Sequence, residues 1–276
     1  ARYLDPSALF TPRVAASGEP SHPASRHLAR ITHTGDALIL NPAQPGNRWL
    51  TRESVPAQYY RVPDQVPVQG GLLAAQMLEI GQAHQRLFLL LGDTSASDPE
   101  GRVERWLDEH AYRAEDRWLE DLRLVVYASP ATAVEEPPEA GSRVRLGEAI
   151  EIKELAWSAR VHQPGDIVAL SVVWSAQQPV AEDYKVFVHL LDAGGQLAGQ
   201  RDSEPVAGRM PTSSWIPGQE VQDRYGLLLP QDLPQGEYQL ILGLYDPATG
   251  VRLPVTTGTN STPSDAYVLG SIRVAP

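Results

Sequence analysis

Beyond residue 144 the apolar side chains recur at every second position, and that period leaves few architectures open. In DIVALSVVW (166–174) Val168, Leu170, Val172 and Trp174 share one face. DYKVFVHLLD (183–192) does the same with Tyr184, Val186, Val188 and Leu190, and EYQLILGLY (237–245) with Tyr238, Leu240, Leu242 and Leu244. Strand side chains alternate between two faces, so each run covers a core on one side only. Turn signals separate the runs, namely DAGGQ (192–196), IPGQ (216–219) and DPATG (246–250). Further strands are expected near 149–157, 196–204, 220–229 and 266–274. Short alternating strands joined by such turns predict an antiparallel, immunoglobulin-like β-sandwich over 144–276.

The first half follows a different rule. ASRHLARITH (24–33) places Ala24, Leu28 and Ile31 on one helix face, and GLLAAQMLEIGQAHQ (71–85) does so with Leu73, Met77 and Ile80. DALILNP (36–42), PAQYYRV (56–62), RLFLLLG (86–92) and LRLVVYA (122–128) read as strands. The continuous apolar run at 86–92 is the kind found where both sheet faces are covered. Asp98-Pro99-Glu100 offers an N-cap, a first helical proline and a first-turn acid, which predicts a helix carrying Val103, Trp106 and Leu107. Alternating helices and strands predict a small three-layer α/β domain with a parallel sheet over 24–128. The chain has 276 residues, and at roughly 150 residues per domain both domains can bury a core. Residues 1–23 form an N-terminal extension, and SPATAVEEPPEAGSR (129–143), with little to bury, reads as a Pro/Glu-rich linker.

Composition excludes several classes of function. The absence of cysteine removes disulfides, thiolate metal sites and a cysteine nucleophile. The net charge of −11 is spread almost evenly along the chain, whereas nucleic acid calls for a concentrated basic face, so no nucleic-acid partner is expected. GxSxG, Walker, GxGxxG and HExxH patterns are all missing, so the usual markers of hydrolases, nucleotide-binding folds and zincins are missing too. No run approaches the ~18 apolar residues of a membrane span, so a soluble segment is expected. ARYLDPSALFTP lacks the basic start and apolar stretch of a signal peptide. Because the first residue is not Met, the chain could be cut from a longer one, and the lack of targeting signals says little about a parent.

In the second half, DYKVFVHLLD is followed by QRDSEP (200–205), PTSSWIPGQ (211–219), VQDRYGLLLP (221–230) and GLYDPATGVRLP (243–254). That order resembles the C-terminal extracytoplasmic sandwich of family 39-like membrane glycosyltransferases. These are multi-spanning GT-C type enzymes, related to protein mannosyltransferases, that use polyprenyl-phosphate sugars. Residues 22–127 are similar, more loosely, to the α/β region after the last membrane helix of such enzymes, through GDALIL (35–40), the pair Tyr59 and Tyr60, and Asp98, Pro99, Val103, Trp106 and Leu107. The resemblance implies a location on the extracytoplasmic face of the cell membrane, with tethering by upstream spans. It also implies glycan or polyprenyl-linked sugar as partner through the parent. The family's catalytic aspartate and lipid-phosphate contacts lie in its membrane-embedded part, so no catalytic residue carries over to this chain.

The residues themselves offer two candidate sites. Sugars stack their C–H faces on aromatic rings while polar neighbours bond the hydroxyls. Trp215, beside Thr212, Ser213 and Ser214 in a loop, fits that pattern, and a Trp in such a loop can equally plug the end of a sandwich. His189 shares a strand face with Lys185 and Phe187 and could donate to a sugar hydroxyl, or be a hydrogen-bonded member of a solvent-facing row. Asn41, Asp93 and Asp98 follow strand ends, where open α/β sheets take ligands, and they equally suit a turn and a helix cap. No metal or cofactor is expected. His22, His27 and His33 are spaced wrongly for i, i+4 ligands, and Asp192, Asp202, Asp223 and Asp246 are explained by turn chemistry.

The leading expectation is a non-catalytic extracytoplasmic module of a membrane glycosyltransferase-like protein that positions glycan or acceptor. The alternatives are a free-standing carbohydrate-binding or adhesion protein, and a hydrolase or transferase with its site at the carboxyl edge of the α/β sheet.

Overall fold

The computed structural model describes residues 22–41, 55–64, 68–135, 144–158, 160–258 and 262–276. Most of the N-terminal extension (1–21) and of the expected linker (136–143) therefore lies outside the described residues. The chain is mostly β, with sheets of mixed orientation. Among the described residues no helix is long and apolar enough to cross a membrane. Two compact units emerge: one of residues up to Glu104 with Asp116–Val125, the other of Arg105–Glu115 with Val126–Pro276.

The first unit begins with α1 (Pro23–Ile31), whose N-terminus is capped by His22 Nδ1 accepting the Ala24 N–H at 3.1 Å. Strands β1 (Ala37–Asn41) and β2 (Gln58–Arg61), helix α2 (Gly70–Ala83) and strand β3 (Arg86–Leu91) follow. The three strands are parallel in the order β2-β1-β3, with Ile39 opposite both Tyr60 and Leu89. Every residue of β1 is buried, as are the first five of β3, which agrees with their unbroken apolar sequences. Leu73, Met77 and Ile80 form the buried stripe of α2. A buried ion pair, Asp36 with Arg86, ties the start of β1 to the start of β3, with Arg86 Nε 2.9 Å from Asp36 Oδ1. Beside it, His84 Nδ1 donates to the Gly35 carbonyl at 2.6 Å, which leaves Nε2 to accept the Tyr60 hydroxyl at 2.7 Å.

Two expectations for 98–128 need correction. Helix α3 runs Arg102–His110, starting later than expected because Gly101 adopts φ +60 and interrupts the turn. Asp98 still caps it, from further upstream: its Oδ1 accepts the Arg102 N–H at 2.8 Å and its Oδ2 the Val103 N–H at 3.0 Å. The strand Leu122–Ala128 (β5) is not reached from that helix but from β4 (Tyr112–Leu119), through the two-residue turn Glu120-Asp121. The polar sequence of β4 concealed it, since Glu115 to Trp118 are half-buried or exposed and give no apolar alternation.

The second unit contains β6 (Val144–Leu146), β7 (Ile150–Trp157), β8 (Val161–His162), β9 (Ile167–Ala176), β10 (Lys185–Leu191), β11 (Leu197–Ser203), β12 (Glu220–Leu228), β13 (Gly236–Tyr245), β14 (Val255–Thr257) and β15 (Tyr267–Val274). One sheet face is ordered β14-β6-β7-β9-β12, and the other is β11-β10-β13-β15-β8. A single apolar core joins Val168, Leu170, Val172 and Trp174 to Val186, Val188, Leu190, Tyr238, Leu240, Leu242 and Leu244, the inward faces read from period two. Each such fully buried aliphatic side chain contributes ~1.5–3 kcal/mol, so the register is strongly fixed: a one-residue slip would turn the whole set outward.

One buried acid interrupts this core. Asp223, in β12, is 2% exposed and receives the Tyr225 hydroxyl and the Arg224 N–H. Burial pushes its carboxyl up to about 6, against the pull of Tyr225, the Val206 and Arg224 N–H groups and the Trp174 indole, which stays outside hydrogen-bond geometry. Val206 and Ala207 lie at φ 52 and 53 in a left-handed turn, a conformation that costs of order 1–3 kcal/mol per residue. The Val206 N–H bond to Asp223 offsets part of that cost.

Candidate functional site

The structure places the expected site residues in three settings. Thr212 and Trp215 close one end of the sandwich. Thr212 is fully buried, its hydroxyl accepting the Tyr184 N–H at 2.9 Å and donating to the Glu182 carbonyl. Asp183 holds the same turn by accepting the Ser213 N–H, and these bonds keep its carboxyl below the ordinary value. The turn aims Trp215 inward: the ring is 3% exposed, its Nε1–H donates to the Met210 carbonyl at 2.9 Å, and its centroid lies 6.3 Å from that of Trp174. No face of Trp215 is open to a sugar. The polar residues around it, read as a sign of an exposed loop, are the bonds that seat a core plug.

Phe187 and His189 lie on the outer face of the five-stranded sheet. Phe187 is 1% exposed because it rests over Gly243, where a Cβ would collide with the ring, and Arg252 covers it with the guanidinium 4.2 Å from its centroid. His189 Nε2 donates to Asp202 Oδ1 at 2.9 Å, and its Nδ1 faces Arg252. Burial would raise the Asp202 carboxyl, but His189, the Tyr245 hydroxyl and Arg252 outweigh it and hold the carboxyl low. Ile241 and Ala266 complete this cluster, which is a second small core rather than a solvent-facing row. Asp192 and Asp246 do shape turns, accepting the Gly194 and Ala248 N–H groups at 2.8 Å. Asp202 and Asp223, by contrast, lie within strands.

Asn41 and Asp98 come together at the carboxyl ends of β1 and β3. Asn41 Nδ2 donates to Asp98 Oδ2 at 3.1 Å, the Ser97 hydroxyl donates to Asn41 Oδ1, and both residues are 1% exposed. Asp98 thereby accepts three hydrogen bonds, counting the two from α3. Asp93 stands apart, fully exposed, accepting the Ser95 N–H in a local turn that lowers its carboxyl. Above Asn41 and Asp98 opens a cleft of about 180 Å³, whose walls include Thr94, Glu104, Trp118 and Arg123. Sequence reasoning missed Trp118 and Arg123 because both sit on the concealed β4–β5 hairpin. Arg123 holds two carboxylates in two forks. Its Nε and Nη2 lie 2.8 Å from the Asp116 oxygens, and its Nη1 and Nη2 lie 3.1 Å from those of Glu104.

One more polar group is notable. His22 Nε2 lies 3.4 Å from Asp121 and 3.7 Å from Glu120, close enough for the three to resemble a metal site. Its Nδ1 already accepts the Ala24 N–H, so in the neutral ring Nε2 carries the proton and faces the two acids.

No family model matches the chain, and no curated protein matches it. Among solved structures, the CARDB domain of a Pyrococcus furiosus protein in complex with di-metal ions aligns at 13% identity, covering 51% of this chain and 100% of that one, with a TM-score of 0.27. The C-terminal domain of wzt aligns at 13% identity over 50% of this chain and 86% of its own, with a TM-score of 0.28. A family 123 glycoside hydrolase from Clostridium perfringens gives 11% identity over 41% and 22%, with a TM-score of 0.24. Overlaps this low do not establish a shared fold.

Proposed function

We propose that this chain is a non-catalytic module of a larger, membrane-tethered glycosyltransferase-like protein, acting on the extracytoplasmic face to position glycan or acceptor. The observation that carries this reading is how the candidate acids and imidazoles are used. Asp98 is spent on a helix cap and Asn41, His189 on Asp202, and Asp223 on Tyr225 and a strained turn. Groups so committed are poor general acids or bases, which must be free to exchange a proton with substrate. The ordered motifs of the second half support the choice of parent.

On this reading the second unit is an immunoglobulin-like sandwich. Strands β7-β9-β12 facing β11-β10-β13-β15 follow the Greek-key order of such domains, and near the start of β13 lies Tyr238, whose hydroxyl reaches back to the Pro234 carbonyl at 2.8 Å. The first unit, with its parallel strands and helices, is read as the small three-layer α/β domain. The test is to incubate the purified chain with polyprenyl-phosphate sugars, acceptors and glycosides. No turnover is expected, and robust transfer or hydrolysis by the chain alone would refute the assignment.

A further inference from the structure

We propose that the cleft at the carboxyl ends of β1 and β3 is a binding subsite for a neutral sugar ring, with Trp118 as its stacking platform and Glu104 and Asp116 as hydroxyl acceptors. The inference rests on the reading of the chain as a glycan-positioning module and supplies the surface that does the positioning. Its first support is the exposure of Trp118. At 68% it contrasts with Trp157, Trp174 and Trp215, each 3% exposed or less, and it forms a wall of the cleft. A ring of that area left in water adds nothing to the core and is available to stack on a ligand.

The second support is the arrangement of the carboxylates. Arg123 grips Glu104 and Asp116 in two forks, and bidentate pairing of this kind fixes the orientation of both acids. Arg123 supplies two of the roughly four hydrogen bonds that each carboxylate can accept. Pre-oriented acceptors beside an open ring match a pyranose, which offers an apolar C–H face for stacking and hydroxyl donors at its rim.

The charge of the site selects among ligands. Glu104, Asp116 and Arg123 together carry one net negative charge, and Asp98 beneath them adds another, so phosphates, sulfates and uronates are repelled. A cationic ligand would be drawn by the charge, but recognition of quaternary ammonium relies on a cage of several rings, and among the described residues lining the cleft Trp118 is the one aromatic. Nor does the surface resemble a protein-docking patch. Those are contiguous and apolar, whereas of Asp116, Arg117, Leu119, Glu120 and Asp121 around Trp118 in the chain all but Leu119 are charged. At about 180 Å³ the cleft is smaller than the ~300–1,000 Å³ that encloses a drug-sized ligand, which fits one ring or the end of a chain.

The experiment titrates the full chain with methyl hexopyranosides and neutral disaccharides, following the indole N–H resonances by NMR and affinity by calorimetry. The Trp118 resonance, assigned by its loss in Trp118→Phe, should shift on binding. Affinity should be about millimolar, fall at least about tenfold in Trp118→Ala, and be partly kept in Trp118→Phe. Arg123→Met, which releases both acids, should weaken binding without moving the Trp118 resonance of the free chain far. Sugar binding that persists unchanged in Trp118→Ala would overturn the subsite while leaving the module reading standing. Preference for glucuronate or choline over neutral sugars would overturn the ligand class, and saturation by no sugar at all would overturn the proposal outright. Turnover by the chain would refute the module reading separately.

Discussion

The cleft of the first unit and the outer face of the sandwich's five-stranded sheet are built from the same parts, an aromatic ring, an arginine and acids, yet they differ in what the arginine covers. In the sandwich Arg252 lies over Phe187 and seals it, while His189 and Asp202 bond each other alongside. In the cleft Arg123 turns to Glu104 and Asp116 and leaves Trp118 open. An aromatic ring beside polar groups is therefore not a binding signature by itself. What distinguishes the two is whether the guanidinium face covers the ring: Arg252 lies over Phe187 while its edge bonds Asp265, whereas Arg123 turns its edge to two carboxylates beside an open Trp118.

The sharpest test of that contrast is truncation of the sealed ring. Phe187→Ala should destabilise the sandwich by about 3–5 kcal/mol, because it opens a cavity over Gly243; denaturant midpoints followed by core tryptophan fluorescence would measure it. A loss within 1 kcal/mol, as rough surface behaviour, would place Phe187 with Trp118 and dissolve the comparison.

A pH experiment comes next in size and concerns the sandwich core. The folded-state value of Asp223, about 6, lies above its ordinary 3.8, so between those values the folded chain holds a proton that the unfolded chain has lost. Its contribution is full below the ordinary value and is lost as pH rises through about 6, to a total of about 3 kcal/mol. The stability difference between the native chain and Asp223→Asn should fall by that order across this window. A flat difference would mean the acid is better solvated than its burial implies.

Smaller effects follow. Asp98→Ala should cost about 1–2 kcal/mol through loss of the α3 cap, with faster amide exchange at Arg102 and Val103 as the local readout. Arg252→Ala should cost about 0.5–1 kcal/mol and increase quenching or solvent accessibility at Phe187, which would show that the seal is the arginine. Trp118→Ala should change stability by no more than about 0.5 kcal/mol, as expected of a ring that serves a ligand and not the fold; a loss comparable to that of Phe187→Ala would show that Trp118 is structural.

Much of the sandwich was legible in the sequence. The inward sets of β9, β10 and β13 were read correctly from period two, since Val168 to Trp174, Val186 to Leu190 and Tyr238 to Leu244 all enter one core. The parallel strands β1 and β3 announced themselves by unbroken apolar runs. The short strands β6, β8 and β14 and the polar β4 escaped, because two or three residues, or a run such as Glu115-Asp116-Arg117, carry no measurable alternation.

The sequence by itself determined which face of each long strand turns inward, because side-chain alternation is a property of the local backbone and is written in consecutive residues. It also brought Asn41 and Asp98 into view as strand-end residues. Only the tertiary structure decided which aromatics are open. Trp215 sits among polar residues yet is drawn inward by Met210 and Thr212, and Trp118 stands open at the tip of a hairpin. It alone also joined Arg123 to Glu104, nineteen positions away. Exposure and charge pairing depend on what the rest of the chain places nearby, and no periodicity records a neighbour that is distant in sequence.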